Sequence, residues 1–205
     1  MKMHLDVASR AWNERYKQSA YVYGTEPNLF FKEQLLKFPS GRILLPCEGE
    51  GRNAVFAARM GWKVDAFDFS EEARKKALQL AGEFGVKIKY AVQAVQYFKL
   101  LPDSYDAIAL IYAHFMPDVR KAFHQNLVES LKPGGVLLLE AFHKEQIKNN
   151  SRGPRDPEML YDETMLSEDF GRLQISLLCK YSLEIEEGDY HKGKADVVRL
   201  VAYKV

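Results

Sequence analysis

Only two cysteines, Cys47 and Cys179, occur in 205 residues, so at most one disulfide is available and no multi-bridge secreted scaffold can be built. Without a secretory context they read as free thiols of a reducing compartment. No stretch approaches the ~20 apolar residues of a membrane-spanning helix. The N-terminal MKMHLDVASRAWNERYKQ also lacks the apolar run of a signal peptide. A cytoplasmic location is the expectation. Charge of one sign is lacking too: 29 Lys and Arg stand against 28 Asp and Glu, which leaves no field to favour nucleic acid or an anionic membrane. No histidine–cysteine spacing suits a metal site, and no repeat or low-complexity tract interrupts the chain.

What is present fits one domain: hydrophobic residues make up 47%, enough at this length for a substantial core. Apolar runs alternate with helical patterns. Arg42 to Pro46 (RILLP) predicts a short buried strand, followed by a helix over 53–60 that Gly61 ends. Lys63 to Asp68 (KVDAFD) is a second strand. Ser70 is placed as an N-cap, with Glu71 and Glu72 in the first turn where the helix dipole favours acids. Ala73, Ala77, Leu80, Ala81 and Phe84 recur at helical spacing up to Gly85.

Strands are predicted again at 87–92 and at Tyr105 to Ile111. Val119, Phe123, Leu127 and Leu131 form one helical stripe, which Pro133-Gly134-Gly135 breaks before a strand over 136–142. Residues 144–165 read as a long loop, followed by a helix beginning near Ser167. Two strands, at about 175–186 and 196–204, then make a terminal hairpin. Strand–helix alternation implies right-handed crossovers, and hence an α/β, Rossmann-like, doubly wound sheet that is mostly parallel. The expected layout is a single domain with a cap at 1–40, a cofactor-binding core at 41–142, and a lid loop, helix and hairpin at 143–205.

Gly49-Glu50-Gly51 follows the first strand and opens the first helix of that core. Glycine allows a ligand to approach the backbone, and the helix N-terminus offers free amides with partial positive charge. Asp68 ends the second strand, 19 residues after Gly49. In doubly wound sheets a carboxylate there hydrogen-bonds the hydroxyls of an adenosine ribose. Gly49-x-Gly51-x-x-Ala54 equally fits the dinucleotide fingerprint, so an NAD-dependent oxidoreductase stays open. A tight strand-to-helix turn serving only the fold explains the same residues more blandly.

The stretch GRILLPCEGEGRNAVFAARMGWKVDAFDFS resembles the cofactor-binding start of class I methyltransferases, especially the tellurite-resistance and thiopurine methyltransferase type. Tyr105-Asp106-Ala107-Ile108, Leu131-Lys132-Pro133-Gly134-Gly135 and WNERY…YVYG (Trp12 to Tyr16, Tyr21 to Gly24) fall in the order of that family, so the similarity spans nearly the whole chain. The resemblance implies a seven-stranded sheet with a C-terminal antiparallel hairpin and S-adenosylmethionine as cofactor. It also implies in-line methyl transfer to a small-molecule heteroatom acceptor, sulfur, selenium and tellurium among the candidates. It places Cys47, Gly49 and Gly51 at the cofactor's methionine end, Asp68 on the ribose, Phe69 on the adenine, and Gln93, Ala94 and Val95 along the adenine edge. Tyr112, Ala113 and His114 would lie near the sulfonium, with Tyr16 and Tyr23 closing over the cofactor. The family usually carries acids near Leu45 and Gln93 and a glycine at Cys47. Those departures leave the amino-acid end and the adenine amine short of partners, and motivate a non-catalytic cofactor-binding module as a further alternative. A monomer or homodimer is expected.

An oxygen or nitrogen nucleophile generally needs a base, and histidine suits neutral pH. His114, just past a parallel strand, and His191, in the hairpin connection with Tyr190 and Gly193 and followed by Arg199, are the catalytic candidates. His143 is a weaker third. For each, a strand cap or a surface-loop histidine is the plain alternative. Trp12, Tyr16, Tyr21, Tyr23, Phe30 and Phe31 are expected to divide between core and an apolar pocket. Gly153 to Pro157 reads as a lid or a solvated connection, and Arg74-Lys75-Lys76 as a solvated helix face. A glycine turn at a helix start would lower the Cys47 thiol's pKa, but packing beside the cofactor loop is its expected role.

Overall fold

The computed structural model describes residues 2–149 and 153–205, with side chains of the first helix described from Ser9 onward. The elements run α1 (Lys2–Tyr16), α2 (Leu29–Leu35), β1 (Arg42–Pro46), α3 (Arg52–Arg59), β2 (Lys63–Asp68), α4 (Glu71–Glu83), β3 (Lys89–Val92), β4 (Tyr105–Ile111), α5 (Pro117–Ser130), β5 (Leu131–Phe142), α6 (Glu163–Asp169), β6 (Gln174–Glu186) and β7 (Lys192–Tyr203). One seven-stranded sheet has the order β3-β2-β1-β4-β5-β7-β6. β1 to β5 pair in parallel, and β7 runs antiparallel between β5 and β6. This is the expected mostly parallel sheet with its terminal hairpin. Among the described residues no helix is long and apolar enough to cross a membrane.

The central strands are apolar over most of their length because both faces are covered. In β4, Ile108 and Leu110 join Leu44, Leu137 and Phe123 on one face, while Ala107, Ala109 and Ile111 join Ile43, Leu45, Phe31 and Trp62 on the other. Chain order reverses between β1 and β4. In an open parallel sheet that switch point, at the carboxyl ends of the strands, is where a crevice forms.

Several boundaries differ from expectation, each for a local reason. Leu131 is the first residue of β5, not the last of a helical stripe: it pairs with Tyr105, and Val136 pairs with Ala107. Lys132 to Gly135 therefore form an excursion within β5. An acidic N-cap explains the early start of α6: Asp162 accepts a hydrogen bond from the Met165 amide, so α6 opens at Glu163 rather than near Ser167. The loop before it carries 3-10 turns at Lys144–Lys148 and Pro157–Met159. β7 begins at Lys192, four residues ahead of the predicted strand, because its polar start pairs with the end of β6.

Candidate active site

The turn after β1 is built on left-handed backbone: φ is 54° at Cys47, 61° at Gly49 and 89° at Gly51. Two of these need glycine. A Cβ on Gly51 would lie 2.6 Å from that of Ala77, so Gly51 lets α3 and α4 approach; one on Gly49 would lie 2.9 Å from the Tyr16 hydroxyl. Asp68 closes the turn from β2. Its Oδ2 accepts from the Gly49 amide at 3.2 Å and its Oδ1 from the Ser70 amide at 3.0 Å. Tyr90 donates its hydroxyl to the Gly49 carbonyl at 2.6 Å.

Gly51, at the N-cap of α3, has no side chain to offer the helix amides. Glu48 fills that role, its Oε1 accepting from the Ala54 amide at 2.6 Å. Both turn carboxylates are buried, and burial pushes Asp68 up to about 6 and Glu48 up to about 7. The Cys47 thiol is also pushed up, by burial first and then by Asp68 and Glu48, so it is not an activated nucleophile.

A cavity of about 780 Å³ opens above this turn, roofed by α1, the segment after it and the β6–β7 connection. Of the predicted residues, Tyr16, Tyr23, Cys47, Gly49, Asp68, Phe69, Tyr112, Ala113, His114 and His191 line it. Gly51 stands behind the lining against Ala77. Gln93, Ala94 and Val95 also lie outside it: the Gln93 amide donates to the Asp68 carbonyl and its side chain to the Tyr97 carbonyl, while Val95 packs on the core. His143 caps the 3-10 turn after β5, accepting from the Glu145 amide and facing Glu163.

Arg15, Glu48, Arg52 and Phe142, which the sequence did not single out, also line the cavity, together with Trp12 from the aromatic entry segment and Tyr190 from the hairpin connection. For Glu48 and Arg52 a signal existed, since they flank the glycine turn. Trp12, Arg15 and Tyr190 come together only in the fold: Arg15 lies over the Trp12 and Tyr190 rings and donates to the Tyr23 hydroxyl at 3.0 Å. Lys76 corrects the expectation of a solvated basic face on α4. Its ammonium is paired with Glu50 and donates to the Gln18 and Ala20 carbonyls at 2.8 and 2.6 Å. Glu50 in turn accepts from the Val22 amide at 2.7 Å, so this pair pins the roof to the glycine turn.

The two candidate histidines have different surroundings. His114 lies between backbone groups: Nδ1 meets the Met159 carbonyl at 2.8 Å, and Nε2 accepts from the Phe142 amide at 3.3 Å. Both nitrogens are occupied, and burial pushes the imidazole down to about 4. That geometry corrects the expectation of a base at His114; the ring serves as a neutral wall. Tyr161 fixes the same segment, donating to the Ala113 carbonyl and accepting from the Phe115 amide, both at 3.1 Å.

His191 lies in an aromatic box, with ring centroids 4.4 Å from Tyr23, 4.4 Å from Tyr112 and 5.4 Å from Phe142. Tyr112 holds a left-handed φ of 51°, a strained conformation for a bulky residue at the cavity wall. Burial lowers His191 below its ordinary range while Glu187 opposes the shift, so the ring is neutral at pH 7.

Residues 43–135 match the family model described as Methyltransferase domain. A ubiquinone biosynthesis O-methyltransferase from Xanthomonas euvesicatoria is 28% identical over 140 residues, 67% of this chain, and the match spans 58% of that relative's length. TehB from Haemophilus influenzae shares the fold at a TM-score of 0.72 and 16% identity, over 96% of this chain and 67% of that one. Magnesium protoporphyrin IX methyltransferase from Synechocystis, with bound S-adenosylhomocysteine, aligns at 0.71 and 15% identity, over 98% and 99% of the two chains. These matches liken the core of the chain to methyltransferases and show a fold shared with them. In such a methyltransferase fold the β1 turn and the end of β2 face the crevice, which is where this cavity lies.

Proposed function

We propose that this chain is an S-adenosylmethionine-dependent methyltransferase that modifies a heteroatom of a small molecule, and that it stands beside the tellurite-resistance and thiopurine type. The observation that carries the reading is the link between Asp68 and Gly49: a buried carboxylate holds the glycine turn at the switch point, and both face one cavity. Gly49 leaves a cradle that a Cβ would fill. Asp68 has lone pairs beyond its two amide bonds for ribose hydroxyls. Phe69 would pack on the adenine, with Gln93, Ala94 and Val95 bordering its edge from outside the observed lining. Cys47, Gly49 and Gly51 would form the methionine end, and Tyr112 and Ala113 the sulfonium wall. Glu48 supplies a carboxylate in the turn, where Leu45 no longer offers one from the strand.

S-adenosylmethionine, when bound, supplies a methyl group on a sulfonium that carries its own leaving group. The protein's task is alignment and exclusion of water. Tyr16 and Tyr23 roof the site, and the Glu50–Lys76 pair holds that roof down. His191 takes the proton from an acceptor that must lose one, an alcohol, phenol or thiol. Selenium and tellurium acceptors would need no such step.

Calorimetric titration with S-adenosylhomocysteine, beside NADH and repeated on Asp68→Ala, tests the reading. Saturable binding of the thioether that weakens ~10–100-fold in the variant is expected, the range for losing hydrogen bonds to a charged group. Binding of NADH alone would overturn it in favour of hydride transfer.

A further inference from the structure

The β6–β7 connection holds a buried polar relay that the cofactor site does not require. The Glu187 amide donates to the His191 carbonyl at 2.7 Å, closing the turn. A Cβ on Gly188 would lie 2.5 Å from the Val22 carbonyl oxygen, so the turn rests against the backbone of the roof. Within it, Glu187 Oε2 accepts from Arg52 Nη2 at 2.8 Å and faces His191 Nδ1 at 3.4 Å. Glu187 Oε1 accepts from Asn28 Nδ2 at 2.9 Å.

Asn28 cannot be turned the other way. Its Oδ1 accepts from the Phe31 amide at 2.9 Å as the N-cap of α2, and its Nδ2 also donates to Glu140 at 2.6 Å. Every oxygen of Glu187 is thus an acceptor, and the carboxylate is held ionised, at about 2, chiefly by hydrogen bonds and charge from His191 and Arg52 against its burial. A nitrogen facing that oxygen must carry the proton. The lone pair then falls to Nε2, which has no hydrogen-bond partner among the described residues, on a ring that lines the cavity.

We propose that Glu187 is the positioning residue of the active site: it fixes His191 as the Nδ1–H tautomer and so presents Nε2 as the proton acceptor for the incoming methyl acceptor. This rests on the methyltransferase reading. The acceptor's heteroatom–hydrogen bond breaks, and its electron pair stays on the heteroatom to form the bond to the methyl carbon, while sulfur keeps the carbon–sulfur pair. The released proton bonds to Nε2, and the imidazolium that results lies against the Glu187 carboxylate. The charge that leaves the sulfonium reappears on a ring with a counter-ion built behind it.

The charged and titratable groups facing His191 are Glu187 on its own turn, Arg52 from α3, Arg15 from α1, Tyr23 from the roof, and Tyr112 and His114 beyond β4. Only Glu187 pulls the ring toward protonation through Nδ1. Long-range ¹H–¹⁵N spectra of ¹⁵N-histidine-labelled protein, with His191→Asn to assign the signal, read the tautomer directly. The wild type is expected to show Nδ1–H at neutral pH. Glu187→Gln is expected to lose that preference and to lower the His191 titration midpoint by about one pH unit, and Glu187→Asp to retain the tautomer.

An Nε2–H tautomer in the wild type overturns the proposal, as does a folded Glu187→Gln protein with tautomer and midpoint unchanged. Should Glu187→Gln not fold, the wild-type tautomer and Glu187→Asp decide. Titration of the same wild-type sample with S-adenosylhomocysteine separates the two readings. Absent binding overturns the methyltransferase and the proton-acceptor role with it. Binding with the wrong tautomer overturns only the role of Glu187.

Discussion

The hydroxyl of Tyr16 lies 2.9 Å from the point that a Cβ on Gly49 would occupy. The last residue of α1 is therefore seated on the glycine turn itself, which leaves no room for a side chain at 49. Gly49→Ala would also force a left-handed φ on alanine, at about 1–2 kcal/mol. Stability is expected to fall by roughly that amount, while affinity for S-adenosylhomocysteine falls by tenfold or more because both turn and roof are displaced. Thermal melts and calorimetry on one sample check the two effects. An unchanged affinity would remove the turn from the binding site.

Asp68 and Glu48 predict a proton-linked affinity. Burial raises them to about 6 and about 7 in the free protein, so both are partly protonated just below neutrality. Ribose hydroxyls on Asp68 and an ammonium beside Glu48 favour the ionised forms, so binding releases protons. Affinity for S-adenosylhomocysteine is expected to fall as pH drops from 7 through 6, by up to tenfold per pH unit for each proton released. Calorimetry in buffers of different ionisation enthalpy counts those protons, and Asp68→Asn should remove one proton's share of the slope.

The sheet could be read from the chain because its signals are local. RILLP and KVDAFD bracket a helix, Ser70 caps the next one as expected, accepting from the Ala73 amide, and burial on both faces made β4 apolar from Ala107 to Ile111. The floor of the site was readable for the same reason, since Gly49 and Asp68 lie at fixed places in a strand–turn–helix unit. The roof was legible only in part: the resemblance put Tyr16 and Tyr23 over the site, but how it is held together was not. Arg15 meets Tyr190 from the far end of the chain, and a basic residue inside a charged run gives no sign that its neighbours in space are carbonyls, as for Lys76. His114 misled for a related reason. Its place after β4 was right, but the backbone groups that occupy both of its nitrogens come from distant segments.

His114 gives a test on stability. Its folded pKa is lowered to about 4 from an ordinary 6.5, so on acidification the unfolded chain takes the proton first. Its contribution is fully present above pH 6.5 and is lost as pH falls toward 4, reaching about 2 kcal/mol by pH 5. Glu48 and Asp68 act in the opposite sense: raised in the folded state, they favour it as pH falls from 7 toward 4.5. The net slope therefore mixes signs, and the difference between wild type and His114→Asn isolates the histidine. Urea denaturation at pH 7 and pH 5 should show the variant losing about 2 kcal/mol less than the wild type over that interval. Parallel profiles would mean that His114 is protonated equally in both states.

The pair Lys76–Glu50 decides whether the roof is a built part of the site. Both side chains are largely buried, and Lys76 also holds the Gln18 and Ala20 carbonyls, while Glu50 holds the Val22 amide. Removing one partner of a buried ion pair leaves the other uncompensated, at about 3–5 kcal/mol. Lys76→Met is expected to destabilise by that order and to open residues 17–22 to limited proteolysis, and Glu50→Gln alone should do less because the amide oxygen still accepts from Val22. In the double variant no charge is stranded, so stability should recover in part. Affinity for S-adenosylhomocysteine should not recover, because Tyr16 and Tyr23 remain unpinned. Recovery of both together would mean that the pair serves stability alone and that the roof closes without it.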